Sequence, residues 1–198
     1  MNLLTNEEIA TLIKKYCPTD EAYKFVSEHG EIVWEIAEWC AGNADEDVDL
    51  DVLRVACKLH DIGSPAFIAA SRFDDEYRFL YGLHSMLGEI ILRDEGLPKE
   101  VYEIVGTHNL MGMTKNEIIE NKFALPHQDR HPSSIEGELL CYADRFHSKH
   151  PKFNDHRDFK GFYGLKVPVQ EKKFHEAVKK FGMPDLDALA KKWDHPIK

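Results

Sequence analysis

Leu59-His60-Asp61-Ile62-Gly63 decides how this chain reads, because it sets a histidine and an aspartate side by side at the end of an apolar helix. Upstream of it Leu53, Ala56, Cys57 and His60 fall at i, i+3, i+4 and i+7, so residues 49–59 predict a helix with His60 on its apolar face. Gly63, with Pro65 just beyond it, is expected to stop that helix. A neutral imidazole next to a carboxylate in such a place needs partners, and either hydrogen bonds or a metal ion can supply them.

The same arrangement recurs outward from that point. Thr5 and Glu8 fit a capping box for a helix carrying Ile9, Leu12, Ile13 and Tyr16, which Pro18 ends. Thr19 caps a longer helix whose stripe of Val26, His29, Val33, Ile36, Ala37 and Cys40 runs to Gly42. The acidic run at 45–49 reads as a solvated loop whose last residues cap the helix leading to His60, since carboxylates favour a helix N-terminus. Residues 64–75 show little periodicity. Beyond them Leu80, His84, Leu87 and Ile91 form another stripe, closed by Gly96, and Pro98 opens a helix bearing Val101, Ile104, Val105 and His108.

Residues 110–132 read as a loop with a short helix around Ile118, Ile119 and Phe123. Ser133 and Glu136 fit a second capping box, for a helix containing Leu139, Leu140, Ala143, Asp144 and His147. After an irregular, aromatic and charged stretch at 149–164, two further helices are expected over 167–181 and 185–193, separated by Gly182 and Pro184. No strand alternation, repeat or low-complexity tract is visible, so the fold class is all-α: a helical bundle.

Composition bounds what such a bundle does. With 198 residues, the chain is expected to form one domain with a sizeable core. The 43% hydrophobic and 30% charged residues describe an ordinary globular protein without an apolar run near the ~18 residues of a membrane span. The first residues lack the basic start and long apolar stretch of a secretory signal, so a cytoplasmic location is expected. A net charge of -10 argues against a nucleic acid polymer or an anionic membrane as partner. A phosphorylated small molecule stays admissible if bound cations supply the local positive charge. Cys17, Cys40, Cys57 and Cys141 are far apart and form no C-x-x-C pair, so they read as buried reduced thiols. Oligomeric state is left open.

Five helices thus carry polar groups on or beside their inward stripes: His29, His60 with Asp61, His84, His108 and Asp144. Imidazole and carboxylate suit divalent transition ions, and helical bundles build such sites from side chains converging on the core. Taken singly, each histidine could equally be a core residue bonded to a carbonyl or carboxylate.

In that order, His29, then His60-Asp61, then His84, His108 and Asp144, the chain resembles the HD superfamily of metal-dependent enzymes, and Leu59-His60-Asp61-Ile62-Gly63 matches its H-D-I-G branch. The phrases Gly82-Leu83-His84-Ser85 and Tyr142-Ala143-Asp144-Arg145 support the likeness, which covers about residues 23–149 as a metal-binding core and leaves 150–198 as a helical extension. The resemblance implies an HD-domain-like bundle with the metal site in its core. It further implies that His29, His60, Asp61 and Asp144 hold one divalent ion and that Asp61, the catalytic centrepiece, bridges to a second held by His84 and His108. Iron, manganese, zinc, cobalt and nickel all fit such donors.

Two-metal sites activate water for attack on phosphorus, so the resemblance implies a phosphohydrolase acting on a nucleotide or other small phosphate ester. Many relatives have lysine after the glycine of the motif, where this chain has Ser64; Lys58, Arg72, Arg78, Arg130, Arg145 and Lys149 are the candidate phosphate-binding cations. The branch that cleaves cyclic dinucleotides has a paired histidine and a Gly-Tyr-Pro signature, and this chain has neither, with His108-Asn109 in place of the pair. Two alternatives share the same ligand order: a di-iron oxygenase acting on a polyol or phosphonate, and a non-catalytic ligand-sensing domain.

Overall fold

The computed structural model describes residues 3–67, 77–148, 151–155 and 168–198, with the backbone alone at 77–79 and 168. The architecture is helical, as expected. Helices α1 (Asn6–Tyr16), α2 (Asp20–Ala41) and α3 (Leu50–Leu59) are followed by a 3-10 segment (Tyr77–Leu83) and α4 (His84–Asp94). Then come α5 (Lys99–Thr107), the short α6 (Lys115–Glu120), α7 (Ile135–Ala143) and a second 3-10 turn (Asp144–Phe146). Beyond these, β1 (His147–Ser148) pairs antiparallel with β2 (Lys152–Phe153), and α8 (Pro168–Phe181) and α9 (Leu186–Trp193) close the described chain.

Local chemistry sets most of these boundaries. Thr5 and Glu8 form the reciprocal capping box at the start of α1, Thr19 caps α2 through the Ala22 amide, and Asp49 caps α3 through the Asp51 and Val52 amides. The start of α7 differs by one residue from the sequence reading. Ser134, not Ser133, is the cap, accepting from the Gly137 amide at 3.3 Å, so a glycine occupies the third position and no capping box can form. Glu136 instead accepts from the Asp49 amide at 2.9 Å and ties the entry of α3 to α7. His147 also leaves the helix on which it was expected: α7 ends at Ala143, and His147 opens a two-residue strand.

The long α2 lies at the centre, packed against α1, α3 and α7, while α4 lies on α5, and α3 reaches both α5 and α7. Ile32, Val33 and Ile36 of α2, Leu53 and Leu59 of α3, Val101 and Val105 of α5, and Leu139 and Leu140 of α7 are buried in one cluster. Each such side chain contributes about 1.5–3 kcal/mol on burial. Phe174 and Phe181 of α8 join the same cluster through Tyr142, whose hydroxyl donates to the Gly182 carbonyl at 2.6 Å.

Two glycines let the layers touch at backbone distance. A Cβ on Gly30 would lie 2.8 Å from the Lys58 carbonyl oxygen, so α2 and α3 meet directly beside His29. A Cβ on Gly63 would lie 2.7 Å from the Gly88 amide nitrogen and nearer still to the His84 carbonyl. Helix α3 ends at Leu59, four residues before the stop expected at Gly63, and positive φ among the described glycines occurs at Gly96, Gly112 and Gly182 rather than there. The lack of a side chain at Gly63 admits α4 against the His60-Asp61 turn.

Candidate metal centre

The fold delivers the histidines to one place by using helix ends. His60 and His108 are the C-terminal caps of α3 and α5, and His84 is the first residue of α4. Carbonyls in the last turn of a helix lack a helical partner. His60 donates from Nδ1 to the Cys57 carbonyl at 2.7 Å, His108 to Val105 at 2.6 Å, and His84 to Tyr81 at 2.5 Å. Each ring is thereby turned so that Nε2 faces inward. His29 comes from the middle of α2 and also turns Nε2 inward.

The four Nε2 atoms meet in two pairs, His29 with His60 at 3.2 Å and His84 with His108 at 2.9 Å. Asp61 lies between the pairs. Its Oδ2 is 3.4 Å from both His29 and His60, whereas its Oδ1 is 3.2 Å from His84 and 3.9 Å from His108. Asp144 joins the first pair, with Oδ1 at 3.0 Å from His29 and 3.5 Å from His60. The donor atoms of His29, His60 and Asp144 all lie within 4.8 Å of one another, as do those of His60, Asp61 and His108. Donors bound to one ion at about 2.0–2.2 Å stand about 3–3.5 Å apart, so the spacing fits ion-sized gaps.

The electrostatics ask for a cation. With Nδ1–H spent on a carbonyl, an inward Nε2 presents a lone pair unless the ring takes a second proton. Burial opposes the charged form of His60, but Asp61 and Asp144 outweigh it and push its imidazole up to about 10. Burial, followed by the neighbouring His84 and His60, holds His108 well below the ordinary histidine value and keeps it neutral. Burial would also raise Asp144, yet the Arg145 guanidinium and hydrogen bonds from His29 and His60 hold its carboxyl well below the usual range. Protons or metal ions can supply the positive charge that these carboxylates and lone pairs attract.

A family model for the HD domain matches residues 26–149. The chain belongs to the HD-domain family. HD domains generally are metal-dependent hydrolases and bind divalent metals. An uncharacterized protein of Methanocaldococcus jannaschii is 29% identical in an alignment of 156 residues, with 75% of this chain and 80% of that one covered. The tRNA (cytidine(56)-2'-O)-methyltransferase of Thermoplasma volcanium is 28% identical over 133 residues, covering 67% of this chain but only 33% of the enzyme. Among solved structures, the HD domain of the L. monocytogenes phosphodiesterase PgpH superposes with a TM-score of 0.54 at 15% identity, covering 95% of this chain and 100% of that one. Its complex with cyclic-di-AMP gives 0.51 at 16% identity, with 96% and 87% covered. At these identities the superpositions show a common fold.

The candidate phosphate-binding cations are scattered. Arg145 donates to Asp144 and, from Nε at 3.3 Å, to the Cys141 carbonyl, so it borders the HD-domain histidine cluster. Lys58 instead holds Glu31 at 2.7 Å and Asn6 at 3.1 Å, and Arg130 donates to the Gly106 carbonyl with Glu89 at 3.9 Å. Arg72 and Lys149 lie outside the described residues, as does the side chain of Arg78. Two histidines that the sequence reading did not enrol also reach the cluster. His147 Nδ1 is 2.9 Å from His29 Nδ1, and His195 Nδ1 is 3.0 Å from His147 Nε2. His147 carried a faint sequence signal, three residues beyond Asp144 and next to the apolar Phe146; His195 carried none.

Proposed function

We propose that this chain hydrolyses a phosphoester of a nucleotide or other small phosphorylated molecule, with two divalent transition ions in an H-D-I-G type site. The observation that carries the reading is the division of Asp61, one carboxylate oxygen towards His29 and His60 and the other towards His84 and His108. In this reading His29, His60, Asp61 and Asp144 hold one ion, and Asp61, His84 and His108 hold the other. Bound divalent ions supply an acidified water and positive charge for the phosphoryl oxygens.

The protein's own groups do the rest. The backbone carbonyls of Cys57, Tyr81 and Val105 orient three of the imidazoles, and Arg145 fixes the Asp144 carboxylate. Among the described candidate cations, Arg145 is the best placed to meet a substrate phosphate, because it lies beside Asp144. Nucleotides are the first substrates to test, because the L. monocytogenes neighbour was solved with cyclic-di-AMP. In the same reading, residues 1–198 form one domain acting in the cytoplasm; among the described residues no helix is long and apolar enough to cross a membrane.

Elemental analysis joined to a screen of generic phosphoesters and nucleotides tests the proposal. Two ions per chain and phosphate release that Asp61→Asn abolishes are expected. A metal-loaded protein that releases phosphate from none of them would overturn it.

A further inference from the structure

His29 differs from the other three histidines in how its outer nitrogen is held. His60, His84 and His108 each sit at a helix end, where the carbonyl three residues back accepts the Nδ1 hydrogen. His29 sits in the middle of the 22-residue α2, where the preceding carbonyls already accept helical bonds. Its Nδ1 meets a side chain instead, and that contact opens a chain of three rings: His29 Nδ1 to His147 Nδ1 at 2.9 Å, His147 Nε2 to His195 Nδ1 at 3.0 Å, and His195 Nε2 to Glu28 Oε1 at 2.7 Å.

Hydrogen-bond valence gives this chain one direction. A carboxylate only accepts, so His195 carries its hydrogen on Nε2 and offers a lone pair at Nδ1. That lone pair accepts from His147 Nε2, which leaves His147 Nδ1 as an acceptor for the hydrogen on His29 Nδ1. The hydrogen of a neutral His29 is then on the outer nitrogen, and the contact of its Nε2 with the Asp144 carboxylate at 3.0 Å, a group that also only accepts, is satisfied by a second proton in the metal-free ring or by a metal ion in that proton's place. We propose that His147 and His195, anchored by Glu28, are positioning residues that hold His29 in the one tautomer able to bind a metal ion; the proposal rests on the reading of His29 as a ligand.

The surroundings are built for this. His147 is 4% exposed and His195 9%, so water offers little competition for their nitrogens. The planes of His29 and His147 lie within 27° of parallel, and those of His147 and His195 within 15°, while Phe153 packs edgewise on His147. His195 is brought there by the C-terminal segment, which runs beside β2: Phe153 donates to the Pro196 carbonyl and Lys198 to the Phe153 carbonyl, both at 2.9 Å. A residue 166 positions along the chain thus governs a nitrogen on α2, and the extension beyond the core becomes part of the metal centre.

Nitrogen-15 NMR of histidine-labelled, metal-free protein reads the tautomer of each ring directly, and Mn2+ competition against a fluorescent chelator reads affinity. In the wild type His29 is expected to be protonated at Nδ1. His147→Phe should mix the His29 tautomers and weaken Mn2+ binding roughly 10- to 100-fold, the range found for groups that orient metal ligands. His147→Gln should restore most of the loss, because a carboxamide can accept on one side and donate on the other. Glu28→Leu alters the outer end of the chain without opening the core, and should shift the same two readouts in a protein of unchanged circular dichroism. If Glu28→Leu and a folded His147→Phe both leave the His29 tautomer as it was and the affinity within about twofold, the proposal is wrong. His29→Ala tests the underlying reading separately: unchanged Mn2+ stoichiometry would remove His29 as a ligand, whereas the metal-free tautomer still judges the relay.

Discussion

His84 and His108 face each other Nε2 to Nε2 at 2.9 Å, and each has already given its Nδ1 hydrogen to a backbone carbonyl. Unless one ring takes a second proton, two imidazoles so placed aim lone pairs at one another, an arrangement that a bound cation turns from repulsive to attractive. His84→Ala or His108→Ala is therefore expected to cost one of two ions while the other stays bound. Elemental analysis of the purified variants checks this, and full loading of either would contradict it.

Asp61→Asn should have the larger effect, because the carboxamide keeps the shape but gives up the charge that both imidazole pairs face. Both ions should be lost and phosphate release should fall by about a hundredfold or more, the scale on which removal of a group that stabilises developing charge is felt. Parallel metal and rate measurements decide it; retention of one ion would show that Asp61 does not bridge.

Protons compete with metal at His60. Its folded value is raised from 6.5 to about 10, so its contribution to stability is fully present below about 6.5 and is lost as pH rises through about 10. Thermal unfolding of chelator-treated protein should show the midpoint falling across that window, with His60→Gln giving a flatter profile. Metal affinity should rise with pH over the same window, because binding displaces the proton. A metal-free midpoint that climbs towards alkaline pH would refute the assignment.

Gly63→Ala should be among the most damaging small substitutions, since its methyl would meet the His84 carbonyl and, at 2.7 Å, the Gly88 amide. A loss of about 1–3 kcal/mol is expected from overpacking, together with weakened metal binding as α4 is displaced. Gly96→Ala is the control. With φ of +81° and no atom within 4 Å of the added methyl, it should cost about 1 kcal/mol of backbone strain and leave metal binding unchanged. Urea unfolding and a metal titration separate the two.

Thiol labelling offers a further check. Burial pushes Cys40 and Cys141 up to about 12 and Cys57 well above its ordinary value, while Cys17 is raised and only partly buried. Near neutral pH one thiol should react with a disulfide reagent in the native protein and three more only on unfolding. Rapid labelling of all four would show that the core opens.

Periodicity and capping were legible because they belong to a single element. The stripes of α2, α3 and α5 placed His29, His60 and His108 inward from sequence alone, and Thr5, Thr19 and Asp49 are caps in the structure as they are in the sequence. The misreadings fall where a distant partner decides. Glu136 left its own helix start to serve the Asp49 amide, and Gly63 was kept free of a side chain for the sake of α4 rather than to end α3.

By itself, the sequence determined an all-helical chain of the HD-domain family with imidazoles and carboxylates on inward helix faces and ends. Only the tertiary structure decided which Nε2 faces which, how the two oxygens of Asp61 are divided, and that His147 and His195 stand behind His29. The physical reason is range: a helical repeat repeats every 3.6 residues and is written locally, whereas contacts between residues 118 and 48 positions apart exist only once α2, β1 and the C-terminal segment have packed.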